Sequence, residues 1–404
     1  MMLTLLKLAG ILAIILALLR LRWNLGLVLL LASAVTGWLF GRPAAGLALD
    51  AVQATLDPLT LRLVAIVLLI TFLGELLRST LQLEGLIRSL CDLFADARWL
   101  LALMPLLIGM LPMVGGAMFS APMVDEASRR LNVDRENRTF LNYWFRHAME
   151  PIFPLYPSLV LAAGLMGVPV QRLTLTQWPL FVAALAGGVL FGLLGTRQVE
   201  LPAGGRPDRR ETVALLLKSV WPILLVLGLS VALKVDLILS LVVTLALLVA
   251  VTRLGPARLW LTARRTPLDI VPIIVGAMVF RRVLESSGAV EAVSASLAEL
   301  GIPLAVVVFA VPFVSGFLTG LAVAAFAIGF PIVFPLVGPD VVGSGDGLRA
   351  DTGGLVGLML TPLHLCLSLT RTYFKAEWGG IYRRMLPAVG LLVLTGALVL
   401  LIRQ

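Results

Sequence analysis

Apolar runs of membrane-crossing length recur from one end of this chain to the other, and they confine it to one fold class. Residues 2–19, 24–40, 59–77, 177–194, 213–233 and 385–402 carry almost no charge. Each approaches the ~20 residues that cross a bilayer as a helix. In hydrocarbon every backbone polar group needs an internal partner, and a helix supplies these within a single segment. Composition agrees: mean hydropathy is +1.01 and 14% of the 404 residues are charged, against ~25% in a soluble protein. The expected fold is an all-α polytopic membrane protein. The first run lacks a small-residue cleavage site and ends in Arg20 and Arg22, so a retained span is expected there rather than a cleaved signal peptide.

A net charge of +9 would suit nucleic acid, but its distribution points elsewhere. With the Arg20/Arg22 turn in the cytoplasm and the spans alternating, the inner loops 20–23, 78–98, 128–138, 196–211, 253–265 and 371–384 hold 21 of the 32 Lys and Arg. Seven lie outside: Arg42, Arg172, Lys234, Arg281, Arg282, Arg349 and Arg403. This is the positive-inside bias. It predicts a multi-pass protein of the cytoplasmic membrane with both termini outside, and no nucleic-acid partner. Cys91 and Cys366 lie far apart in this plan, so no disulfide, metal or cofactor is expected.

The halves echo each other. TFLGELLRSTLQLEGLIRSL (71–90) aligns with MVFRRVLESSGAVEAVSASL (278–297), pairing Leu77 with Leu284, Ser79 with Ser286, Glu84 with Glu291, Ser89 with Ser296 and Leu90 with Leu297. Both end in amphipathic stripes, Leu83, Leu86, Ile87, Leu90 and Phe94 in one and Val290, Val293, Leu297 and Leu300 in the other, read as helices in the membrane plane. Each is followed by an apolar stretch broken by Gly, Pro and Ser or Thr, at 103–126 and 308–333. Such breaks suit a re-entrant hairpin better than a continuous helix. The plan is therefore an N-terminal repeat (1–195, hairpin 99–127, broken helix 138–165), a cytoplasmic linker (196–211) and an inverted C-terminal repeat (212–404, hairpin 301–335, broken helix 353–375). Each repeat has five crossings and one hairpin, the build of secondary transporters.

Next in each half comes an interrupted helix. NYWFRHAMEPIFPLYP (142–157) has Pro151, Pro154 and Pro157, and LTPLHLCLSLTRTYF (360–374) has Pro362. Proline removes a donor and clashes with the preceding turn, so residues near 149–157 are expected to unwind beside a cavity. The chain's two histidines, His147 and His364, fall one in each segment and should meet at the midplane. They read either as a titratable pair for a proton or an anion, or as caps for carbonyls that the prolines set free. Glu150 reads as a proton-coupling carboxylate or as an i, i+4 partner of Arg146. Arg146, taken to lie eight residues into its helix, reads as an anion ligand or a side chain reaching the inner face, and Asn142 as a cap near the surface. Gly115, Gly116 and Ser120 at one hairpin tip face Ser315, Gly316, Thr319 and Gly320 at the other, where backbone amides can meet an anion. Gly316 and Gly320 also form a GxxxG, which suits helix packing; Gly188 and Gly192 read as packing alone. Tyr156, Ser368 and Thr370 complete the expected lining, with Thr370 alternatively bonded back to its own helix.

NYWFRHAMEPIFPLYPS and LTPLHLCLSLTRTYFKA, with GGAMFSAP and SGFLTG, resemble a prokaryotic membrane-protein family, domain of unknown function 401, within the ion-transporter superfamily of gluconate, citrate and dicarboxylate permeases. The resemblance implies a scaffold domain, often dimeric, a transport domain holding both hairpins, and elevator-like or rocking alternating access. Sodium-coupled carboxylate members share Ser-Asn-Thr tips. Here the tips read PMVGGA (112–117) and SGFLTG (315–320) without Asn, which argues for protons over sodium. The expected function is a proton-coupled secondary transporter of a small organic anion, with that anion, the proton, membrane lipid and a second copy of the chain as its expected partners. Export or flipping of a lipid-linked or amphipathic substrate is the alternative. An intramembrane hydrolase pairing Ser120 or Ser315 with a histidine leaves the second histidine without a role. No HExxH occurs, and no charged rings suggest a channel.

Overall fold

The computed structural model describes residues 2–93, 97–110, 116–129, 131, 133–194, 196, 208–337 and 340–402. Gly115 and most of the 112–117 tip, Arg130, Arg403, Phe94 and all but the ends of the 196–211 linker lie outside the described residues, as do the side chains of Leu83, Ile87, Leu90 and Cys91.

The described chain is helical throughout, with no strand among the described residues. The first half runs α1 (Met2–Arg20), α2 (Leu25–Leu39), α3 (Ala44–Leu56), α4 (Pro58–Ser79), α5 (Gln82–Leu93), α6 (Ala97–Gly109), α7 (Ala117–Ser128), α8 (Arg135–His147), α9 (Pro157–Met166) and α10 (Val170–Gly188), the last continuing as a π-turn to Leu193. The second runs α11 (Arg209–Leu227), α12 (Leu237–Thr252), α13 (Pro256–Arg265), α14 (Ile270–Ser286), α15 (Ala289–Glu299), α16 (Leu304–Thr319), α17 (Ala322–Val333), α18 (Asp346–Leu360), α19 (Leu365–Phe374) and α20 (Trp378–Ile402). One order recurs: a long helix, a short one, a helix pair, an interrupted helix and a long closing helix, as α4 to α10 and as α14 to α20.

Six helical stretches among the described residues are long and apolar enough to cross a bilayer: Leu3–Arg20, Pro58–Ser79, Val170–Leu193, Arg209–Ala232, Asp346–Phe374 and Trp378–Ile402. The chain is a multi-pass membrane protein. One expected span is shorter than its apolar run. The run 24–40 forms only the 15-residue α2, because Asn24 caps its start by accepting from Gly26 N–H at 2.9 Å and the chain turns at Gly41, whose φ is +77°. Large apolar side chains such as Trp38, Leu233 and Ile402 point outward, as a lipid-facing surface requires.

Small residues set the packing, as is usual where lipid supplies no hydrophobic drive between helices. A Cβ on Gly353 or Gly357 of α18 would strike the carbonyls of Phe309 and Phe313 on α16. A Cβ on Gly188 would meet Phe145 and Trp144, and one on Gly192 would meet Leu141 and Phe140, so these two glycines hold α10 against α8. The buried side chains form two large clusters. One joins α1, α2, α4, α9, α12, α14 and α17; the other joins α7, α8, α10, α18, α19 and α20. Each cluster draws on both halves of the sequence. The second surrounds the two interrupted helices and so positions the site.

Candidate functional site at two interrupted helices

Asp134 starts α8 by accepting from Asn137 N–H at 2.6 Å, and the helix stops at His147. Residues 148–156 then run as tight turns, with Glu150 N–H on His147 O at 3.1 Å and Tyr156 N–H on Phe153 O at 3.0 Å. Pro157 opens α9, where a missing N–H costs nothing. In the second half α18 ends at Leu360 and α19 begins at Leu365, leaving Thr361–His364 unwound around Pro362. Helix breaks free carbonyls, and side chains take them up. Tyr143 O–H donates to Leu358 O at 3.1 Å and Tyr382 O–H to Leu360 O at 2.7 Å.

The two breaks bring the histidines together. His147 Nε2 lies 2.9 Å from His364 Nε2, and the rings meet edge to face with centroids 4.7 Å apart. Both are buried, and Tyr143 lies against both. The other ring nitrogens face carbonyls: His147 Nδ1 is 2.7 Å from Tyr143 O, and His364 Nδ1 is 2.6 Å from Gly320 O. A carbonyl only accepts, so each Nδ1 must carry a proton. Both Nε2 lone pairs would then point at each other, and a proton placed between them would make the 2.9 Å contact a hydrogen bond. Two neutral imidazoles have only two N–H protons. The geometry is one in which a single extra proton can be shared by the pair.

Cys366 reaches the same place, beside His147. The donor atoms of His147, His364 and Cys366 all lie within 4.8 Å of one another, a ligand set suited to zinc. Two nitrogens on a tetrahedral zinc sit about 3.3 Å apart, from Zn–N distances of ~2.0–2.1 Å. The 2.9 Å contact is shorter and fits a shared proton better than a metal ion.

Arg146 lies deeper than the sequence suggested. It falls in the last turn of α8, which begins at Arg135, and it is 6% exposed, so it does not reach the inner face. Its Nη1 donates to Ile108 O at 3.0 Å, and its guanidinium fills the space where Gly116 would carry a Cβ. Tyr156 O–H donates to Gly109 O. Arg146 and Tyr156 thus bond the carbonyls at the end of α6, beside the start of α7. Glu150 is not one helical turn beyond Arg146, because the helix has already ended. Instead it lines a small cavity with Gln177 and Asp351. Asn142 is also not superficial. Fully buried, it donates to Ala117 O and to Thr370 Oγ1, each at 3.0 Å, and so ties α7 to α19 across the halves.

The second hairpin is only partly a site. Gly320 takes φ +68° between α16 and α17 and offers its carbonyl to His364. Gly316 packs instead, since a Cβ there would come 2.8 Å from Gly354 O. Ser315 and Thr319 donate back to Val311 O at 2.8 Å and Ser315 O at 2.6 Å. Ser120 donates to Ala117 O at 3.3 Å and Ser368 to Pro362 O at 2.9 Å. Neither Ser120 nor Ser315 bonds a histidine, so the geometry of a Ser–His nucleophile is not present. Tyr143, Gln177, Asp351 and Cys366 are the residues that sequence reasoning missed at this site. Only Asp351 left a trace in the sequence, as an acid inside an otherwise apolar, glycine-rich stretch.

A family model described as "Protein of unknown function (DUF401)" matches residues 2–403. The chain belongs to the DUF401 family. No curated protein matches the sequence. Among solved structures, the fold is similar to the crystal structure of the YdaH transporter of Alcanivorax borkumensis, with a TM-score of 0.63 over 89% of this chain and 88% of that one, at 14% identity. At that identity the likeness is one of fold.

Proposed function

We propose that this DUF401 protein is a secondary active transporter. It moves a small organic anion across the cytoplasmic membrane by alternating access, driven by protons. The observation that carries the reading is the 2.9 Å contact between His147 and His364. The two rings belong to different interrupted helices, one in each half of the sequence, so a single proton bridges two parts of the molecule. Relative motion of those parts breaks the bridge and releases the proton, the kind of discrete two-state element that coupling needs. Paired broken helices near the midplane are the usual frame for such a site, and the fold's likeness to a transporter supports the same reading.

In this reading the halves are inverted repeats, α6–α7 and α16–α17 are re-entrant hairpins, and both termini lie outside. Arg146, beside the first hairpin, supplies the positive charge that meets the anion. A polar cleft of about 470 Å³ lined by Asp125, Arg135, Arg138 and Lys375 opens at the start of α8. It lies about 18 Å along that helix from His147 at 1.5 Å per residue. Three basic side chains against one acid favour anions there. A homodimer and the choice of protons over sodium follow from the family resemblance and the Asn-free tips.

The test is uptake into proteoliposomes. Sugar acids, di- and tricarboxylates would be offered with an imposed pH gradient, with and without sodium. We expect one class to accumulate with the gradient and without sodium, and His147→Ala and His364→Ala each to abolish accumulation while the purified variants remain folded. Gradient-driven uptake that survives in both variants would refute the role of the pair.

A further inference from the structure

We propose that Asp351, positioned by Gln177 and lining one small cavity with Glu150, is a second proton-holding site: a carboxylic acid kept neutral by its surroundings. Its use in coupling rests on the transporter reading; its protonation does not.

Asp351 sits in the second turn of α18 and is 3% exposed. Gln177 of α10 donates to its Oδ2. Its Oδ1 is buried without any hydrogen-bond partner. Asp351, Gln177 and Glu150 line one small cavity, whose other walls include Leu159, Leu180 and Phe326. The volume is about 10 Å³, close to the ~10–15 Å³ that one water needs. An organic substrate does not fit; a proton, with or without one water, does.

The charges around Asp351 decide its state. Neither α16 nor α17 carries an ionisable side chain. On α10 the neighbour is the neutral Gln177, and Arg172 at the far end faces Asp340 at 3.8 Å. On α18 itself, Arg349 pairs with Asp346 and lines a separate apolar cleft. On α20, Tyr382 is bonded to Leu360 O and Arg384 pairs with Asp134 at 2.8 Å. From the first break the facing group is Glu150, another carboxylate. An ionised Asp351 would therefore be a buried anion with one neutral amide as its hydrogen-bond partner and one oxygen without any. Buried charges persist only when paired or fully hydrogen-bonded. A proton on Oδ1 gives the orphan oxygen a donor aimed into the cavity. Sodium would need about six oxygen ligands, by analogy with other hard cations, and these walls are mostly apolar.

The experiment is infrared difference spectroscopy on the purified full-length protein, scanned from neutral to alkaline pH in H₂O and D₂O without substrate. Wild type should show the carbonyl stretch of a buried carboxylic acid at neutral pH, shifted downward in D₂O. Asp351→Asn, which keeps the shape and a bond to Gln177, should lack that band; Glu150→Gln should keep it; Asp351→Glu should restore one at a shifted frequency, which guards against loss by misfolding. A band that survives in Asp351→Asn, disappears in Glu150→Gln alone, or is abolished by sodium at fixed pH would overturn the proposal. Because no transport is measured, a failure here is distinct from failure of anion uptake.

Discussion

Gly320 is the point where one added methyl should do disproportionate damage. Two separate costs meet there. Its φ of +68° lies in the left-handed region, where an L-residue pays about 1–2 kcal/mol. The Cβ of an alanine would also lie 2.8 Å from Leu363 C and 2.9 Å from His364 N. These are backbone atoms of the break that carries His364, and they cannot swing aside as a side chain could. Moving them shifts Gly320 O from His364 Nδ1, a bond of 2.6 Å, and losing a buried bond costs a further ~1–3 kcal/mol when its partner is stranded. The expected total is about 2–5 kcal/mol by adding the two. Gly167 is the matched control. It ends α9 at φ +70° with nothing within 4 Å of a Cβ, so Gly167→Ala should pay the conformational cost alone. Denaturant unfolding of both variants in detergent separates the terms. Gly320→Ala should be less stable than Gly167→Ala by ~1 kcal/mol or more; equal losses would show that the Gly320 carbonyl does not seat the histidine, and the argument from its geometry would fail.

Other expectations follow from the same structure. Asn142→Ala removes the donor to Thr370 Oγ1 and one of two side-chain donors to Ala117 O, and thermal or denaturant unfolding should show a loss of about 1–3 kcal/mol. Gly116→Ala pushes on the Arg146 guanidinium, so uptake assays should show a raised KM while the melting temperature changes little. Arg384→Ala removes a half-exposed pair with Asp134 and should cost under ~1 kcal/mol, less in high salt. At Asp236 burial works against ionisation, but bonds from Arg62 and the amides of Leu239 and Ile238 outweigh it and hold the carboxyl below its ordinary value. The sign follows: this stabilisation is present above the unfolded pKa of ~3.9 and vanishes as pH falls through the lower folded value. Asp236→Asn should therefore be less stable than wild type at pH 7, with the gap closing in strong acid.

Much of the helical plan could be read from the sequence, because span length, proline breaks and glycine pairs are local signals. The breaks at 148–156 and 361–364 follow from Pro151, Pro154 and Pro362 alone. That the histidines would share a neighbourhood followed from their being the chain's only two, placed in corresponding segments. What failed was depth and direction. Of the two readings open for Arg146, the one that took it to the inner face rested on a helix start three residues late, and of the two for Glu150, the pair with Arg146 rested on a helical spacing that the break cancels. The pairing of Asp351 with Gln177 was not legible because they meet across 174 positions, and no local pattern marks which face of α18 looks toward α10. Cys366 was weighed only against Cys91; it lies two residues beyond His364 at the start of α19, and its place beside His147 depends on how the two halves pack.

The most direct test of the shared proton is nitrogen-15 NMR of the purified protein labelled at histidine. The chain has two histidines, so just four ring nitrogens report, with no background to subtract. The geometry predicts three protonated nitrogens at neutral pH: both Nδ1, and one proton shared between the two Nε2 atoms with coupling across that bond. Two protonated nitrogens, one on each ring and no coupling between them, would mean that the pair is neutral and carries no transferable proton, and the central claim would be wrong.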